Sequence, residues 1–161
     1  MVKIKVVIDN KQKTVKIPTG IRLLMRRCCH AVLQLEQFDG SAEVDISIVN
    51  NEQIHVINRE HRKVDAPTDV LSFPLGENGV YDINPATGAK LLGDIVISIE
   101  QAAIQAERFG HTLQREVGYL TVHSMLHLLG YDHVDDPEGE RIMCEKQEKV
   151  LGGLGITRDE I

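Results

Sequence analysis

The segment Val122-His-Ser-Met-Leu-His-Leu-Leu-Gly-Tyr-Asp-His133 carries three imidazoles in close succession. His123 and His127 stand four residues apart. On a helix turning ~100° per residue they project from nearly the same face, one turn from each other, so both rings can reach one ion. Gly130 allows the chain to leave the helix and fold back, so that His133, six positions beyond His127, can close a third corner. Three neutral imidazoles suit Zn²⁺ at Zn–N distances of about 2.0–2.1 Å and leave a fourth position open, the arrangement of a catalytic centre. Imidazole also suits other divalent transition metals, so Zn²⁺ is the expected ion and Ni²⁺ the alternative.

The ligand spacing, His-x3-His-x2-Gly-x2-His, equals that of the metzincin proteases, which makes a small zinc peptidase one reading of the chain. Proteases of that kind place a glutamate directly after the first histidine as general base, and this sequence has Ser124 there. The peptidase reading is weakened accordingly. Glu116 lies on the same helical face as His123 but two turns away, too far for a base, and is expected to be solvated or paired.

Positioning these groups falls to a chain of 161 residues, 42% hydrophobic and 26% charged, the composition of one ordinary globular domain spanning residues 1–161. No apolar run approaches the roughly 20 residues of a membrane span, and Met1 to Asp9 lacks a signal-peptide pattern. A cytoplasmic protein without membrane association is expected. Cys28, Cys29 and Cys144 form no disulfide framework and read as reduced, partly buried thiols. The net charge is −6, which argues against indiscriminate nucleic-acid binding. It is unevenly spread. Lys11, Lys13, Lys16, Arg22, Arg26 and Arg27 fall in a stretch without an acid, so a local basic face exists that could receive a polyanion or simply be solvated.

Val2 to Ile8 and Val44, Ile46, Ile48 have strand character, as do Val70 to Phe73 and Asp94 to Ile99. The stretch between these last two holds Pro74, Gly76, Gly79, Pro85 and Gly88 and predicts a mobile loop near a site or an extended hairpin. Ile21, Leu24, Met25, Cys28, Val32 and Leu35 form a helical stripe. Asn50 or Asn51 caps a helix to about Arg62, and Ser98 with Gln101 begins another that Gly110 ends. A fourth runs from near Thr112 to Leu129, and Asp136-Pro137 opens a last one ending by Gly152-Gly153. The order predicts an α/β fold, α+β-like in its arrangement: a mixed sheet of about four strands packed with about five helices.

The histidine segment resembles the signature His-Gly-x-Leu-His-Leu-x-Gly-Tyr-Asp-His of the YbeY family of rRNA maturation endoribonucleases, with Ser124 in place of the glycine. Two further blocks resemble that family: Asp65-Ala-Pro-Thr-Asp-Val-Leu-Ser-Phe-Pro74 and Leu92-Gly-Asp-Ile-Val-Ile-Ser98. The resemblance implies that His123, His127 and His133 hold the metal and that Arg62 is the functional arginine, with His61 where many members have tyrosine. It further implies a metal-dependent endoribonuclease cutting single-stranded RNA in rRNA processing, including maturation of the small-subunit rRNA 3′ end, and in ribosome quality control. Ribosomal proteins are partners in that setting. A metal and an arginine fork would both stabilise charge on a phosphodiester under attack. Arg22, Arg26 and Arg27 would extend the track for the strand. A third reading is non-catalytic: a ribosome-assembly factor whose metal is structural and whose acidic Asp135, Asp136, Glu138 and Glu140 meet a basic partner.

Overall fold

A computed structural model of the chain describes residues 3–132 and 136–156. The elements are β1 (Lys3–Asn10), α1 (Ile21–Leu35), β2 (Ser41–Val49), α2 (Asn51–Arg62), β3 (Val70–Pro74), β4 (Lys90–Ser98), α3 (Ile99–Phe109), α4 (Leu113–Leu128) and α5 (Pro137–Gly153). The sheet order is β1-β2-β4-β3, with β1, β2 and β4 parallel and β3 antiparallel at the edge beside β4. Among the described residues the expected mixed sheet of four strands with five helices is what forms.

Side chains alternate across each strand, so the sheet has two unlike faces. Val44, Ile46, Ile48, Leu92, Ile95 and Ile97 point to one face and join Met25, Cys28, Val32, Val122 and Met125 in the main core. Val96 and Leu71 point the other way, where α2 covers them with Ile54 and Ile57 in a smaller cluster. Cys28 and Cys29 belong to the main core, and burial pushes the Cys28 thiol up to about 12, so these two are packing residues; Cys144 is exposed.

The helix starts follow local chemistry. Asn50 accepts from Gln53 N–H at 2.9 Å while Gln53 Oε1 accepts from Asn50 N–H at 2.9 Å, a reciprocal capping box that fixes α2. Ser98 accepts from Gln101 N–H at 3.2 Å, but the Gln101 side chain turns instead to its neighbours on α2 and α3. Eleven of the sixteen residues of α4 are buried, because the helix lies among β3, β4, α1, α3 and α5. A helix enclosed on all sides has no polar face to display, which is why its sequence shows no clean amphipathic stripe. Glu116 belongs to this enclosure and is not solvated. Gln105 donates to it at 2.8 Å and His111 Nε2 lies 3.3 Å away, so it is the paired residue of an α3–α4 junction.

Gly93 explains the Leu92-Gly-Asp block. Its φ is +144°, and a Cβ there would come within 2.3 Å of the Phe73 carbonyl oxygen and 2.9 Å of a Leu128 methyl. Only a residue without a side chain lets β4 pass between β3 and the end of α4, at a point where the β2–β4 register also shifts. The glycine-rich stretch after β3 is an extended arm tied back to β4: Leu75 N–H donates to the Leu92 carbonyl at 3.0 Å, and Ile83 bridges Lys90.

Candidate active site

The end of α4, β3 and the extended arm enclose a cleft of about 590 Å³ lined by Arg62, Ser72, Tyr81, His123, His127 and Tyr131 among others. His123 and His127 sit one turn apart at its wall, with Nε2 of one 3.0 Å from Nε2 of the other and the rings 77° apart. Two nitrogens on one tetrahedral zinc stand about 3.3 Å apart, given Zn–N bonds of about 2.0–2.1 Å. The observed separation therefore admits a shared cation, and the two aromatic nitrogens form a donor set suited to a transition metal. It equally suits an N–H···N bond between the rings in the metal-free protein. Among the described residues no third His, Cys, Asp or Glu completes a cluster, and His133, the expected third ligand, lies outside them.

The two rings are held from behind. Tyr119, one turn before His123, stacks on it with rings 15° from parallel and centroids 6.1 Å apart. Gln147 of α5, 2% exposed, brings its amide to 2.7 Å from His123 Nδ1. Ser124, the departure from the family signature, points into the core, fully buried, with its hydroxyl lacking a hydrogen-bond partner. It is remote from a base's role for that reason. An unpaired buried hydroxyl is destabilising, and alanine is also the better helix former. Ser124→Ala is expected to raise stability by about 1 kcal/mol, read as a higher urea midpoint at unchanged slope. A lower midpoint would show that the hydroxyl has a partner after all.

Arg62 reaches the cleft from the last turn of α2. Its guanidinium donates to the Ser72 carbonyl on β3 and lies over the Phe73 ring, 5.1 Å from the centroid. Asn58, buried one turn earlier, donates to the Ala66 carbonyl at 2.9 Å and so pins the turn leading into the Pro67-Thr68 block. That block's work is structural as well as chemical: it delivers β3, and with it the carbonyl that aims Arg62. One guanidinium N–H goes to Ser72, and the fork as a whole has five.

Tyr81 and Tyr131 supply the cleft's aromatic surface. Tyr81 packs edge-on against Phe38, and Tyr131 bonds Glu36 through its hydroxyl, with Lys146 bonding the same carboxylate at 2.7 Å. Burial holds both phenols above their ordinary range, so they remain protonated at neutral pH. His61, by contrast, faces away from the cleft. It packs against Phe73 at a second hollow on the opposite side of the sheet, beside Asp9, Asp45 and Asp94. There the Asp94 carboxyl is raised first by desolvation and then by Asp45.

Of the residues singled out in the sequence, Arg62, His123 and His127 come together at one cleft. Arg22, Arg26 and Arg27 do not line it; they lie on the exposed face of α1, opposite Met25, Cys28 and Cys29. Sequence reasoning passed over Gln147, Tyr81 and Tyr131. For Gln147 a signal existed: it interrupts the buried stripe Met143, Val150, Leu151 of α5 with a polar residue.

With that geometry in view, a family model described as endoribonuclease YbeY matches residues 7–155 of the chain. The chain belongs to the YbeY endoribonuclease family. It is accordingly an enzyme, a hydrolase acting as an endoribonuclease. Endoribonuclease YbeY of Caldanaerobacter subterraneus is 47% identical over 158 residues, covering 95% of this chain and 99% of that protein. The protein of the same name from Brevibacillus brevis is 46% identical over 149 residues, covering 88% of this chain and 92% of its own length. The solution structure of TM1509 from Thermotoga maritima superposes with a TM-score of 0.59 at 27% identity, covering 96% of this chain and 92% of that one. No helix among the described residues is long and apolar enough to cross a membrane.

Proposed function

We propose that the chain is a metal-dependent, single-strand-specific endoribonuclease acting in rRNA processing, including maturation of the small-subunit 3′ end, and in ribosome quality control. The observation that carries this reading is the placement of His123 and His127, nitrogens 3.0 Å apart, on the wall of a cleft that Arg62 also lines. His123 and His127 would hold the ion, with His133 as the third ligand, and Zn²⁺ is the ion we favour over Ni²⁺. Such an ion supplies a Lewis acid for phosphodiester oxygens and a water acidified toward neutral pH.

The chain's own residues do the rest. Arg62 binds a phosphate bidentately and offsets charge on its non-bridging oxygens as they are attacked, while the Ser72 carbonyl and the Phe73 ring limit how the fork can turn. Tyr81 and Tyr131 offer faces on which unstacked bases of a single strand can lie. The cations of α1, off the cleft, would attract the flanking backbone through an ionic-strength-dependent field. rRNA and ribosomal proteins are the partners and the cytoplasm the compartment that this reading calls for.

Its test uses the intact protein. Metal-loaded protein is expected to cut an unstructured RNA, leave an unstructured peptide panel whole, and lose cleavage on chelation while its far-ultraviolet circular dichroism is kept. Peptide cleavage in place of RNA cleavage would restore the peptidase reading. Unfolding on chelation would favour a structural metal and the assembly-factor reading.

A further inference from the structure

We infer that Gln147 is a positioning residue for the metal centre, its side-chain oxygen accepting the Nδ1 proton of His123 and so fixing the tautomer that bares Nε2 toward the cleft. The inference rests on the reading that His123 and His127 share a metal ion, and it adds a residue from a different helix to that centre.

A neutral imidazole carries one proton, on either of its nitrogens. For His123 to coordinate through Nε2, the atom 3.0 Å from His127 Nε2, the proton must sit on Nδ1. A buried N–H requires an acceptor, and the side chain 2.7 Å from Nδ1 is the Gln147 amide. The nearer amide atom is Nε2, which donates to Nδ1 and thereby places the ring proton on the ligating nitrogen. In the same arrangement Gln147 Oε1 is buried with no hydrogen-bond partner.

The tautomer depends on which amide atom faces the ring. A carboxamide turned by 180° about its last bond exchanges oxygen and nitrogen with almost no change in shape. Oε1 then stands at hydrogen-bond distance from Nδ1 and accepts its proton, while Nε2 takes the place that Oε1 held. The ring's Nε2 lone pair is left facing the cleft. Amide orientation and ring tautomer are thus coupled: with nitrogen toward the ring the two histidines can share a proton, and with oxygen toward the ring they can share a cation.

The position itself argues for this role. Gln147 occupies the stripe of α5 that otherwise buries Met143, Val150 and Leu151, where an apolar residue would pack without desolvating an amide. A carboxylate at this place would also accept the proton, but it would lower the positive charge of the centre. A neutral amide orients the ring and leaves the ion's Lewis acidity intact.

The experiment compares wild type, Gln147→Met and Gln147→Glu. Zn²⁺ and Co²⁺ affinities are measured by competition with a chromophoric chelator, and thermal melts of the metal-free proteins verify folding. Long-range ¹H–¹⁵N spectra of wild type report the His123 tautomer with and without Zn²⁺. Gln147→Met, of similar length and without an acceptor, is expected to weaken binding roughly 10- to 100-fold, the usual cost of losing such an outer partner. Gln147→Glu, which keeps an acceptor, is expected to bind at least as tightly as wild type. Zinc-loaded wild type should show His123 protonated at Nδ1. Undiminished affinity in folded Gln147→Met, or coordination of His123 through Nδ1, would overturn the inference while leaving the metal centre standing. Wild type that binds neither ion would overturn both. The tautomer measurement needs no variant, so a failure of Gln147→Met to fold does not shelter the inference.

Discussion

His127→Ala is expected to lose bound metal and RNA cleavage together. The ring is half-buried at the cleft wall and is not part of the core, so its removal leaves the packing of α4 through Val122, Met125 and Leu126 in place. What would disappear is one of the two proposed ligands among the described residues, and with it the polarising ion it would help to hold. Metal catalysis of phosphoryl chemistry is worth several kcal/mol of charge stabilisation, so cleavage should fall by about 10³-fold or more. Elemental analysis of dialysed protein, a fluorogenic RNA assay and a thermal melt on the same preparation check it. A folded variant that keeps either its metal or its cleavage rate would remove the proposed centre.

Arg62→Ala is expected to separate RNA cleavage from metal content. The side chain is exposed and makes one main-chain hydrogen bond, to Ser72, together with its contact to Phe73, so stability should change by less than about 1 kcal/mol. Removing a charged donor aimed at developing negative charge costs roughly 10²–10³ in kcat, and cleavage should fall by that factor with metal content unchanged. Arg62→Lys should recover only a small part, because an ammonium on a flexible stem cannot reproduce the planar fork that Ser72 and Phe73 orient. Equal rates for Arg62→Lys and wild type would show that only net charge matters there. Parallel loss of metal in Arg62→Ala would show that Arg62 supports the histidines, in which case its role as phosphate ligand falls.

The two experiments address different links in the chain from sequence to function. His123 and His127 are brought together by helical periodicity alone, whereas Arg62 meets them only because β3 pairs antiparallel with β4 and carries Ser72 and Phe73 to the end of α2. No spacing rule encodes that pairing. Its nearest sequence signal is the Asp65 to Pro74 block, and its physical cause is Gly93, the one residue type that lets β3 and α4 close on β4.

The amino-acid order alone determined the local features. Helix starts at Asn50, Ser98 and Thr112, the helix end at Gly110, the alternation of Val44, Ile46 and Ile48, and the one-turn stacking of two imidazoles follow from bonds within a few residues of each other. Chain folding decided what depends on distant partners: that Glu116 is paired inside a junction, that His61 faces the far side of the sheet, and that the basic face of α1 lies off the cleft. It also set Gln147 behind His123, twenty-four positions away along the chain. Periodicity fixes the direction of a side chain relative to its own helix, but which other helix that face meets depends on how all the layers pack at once.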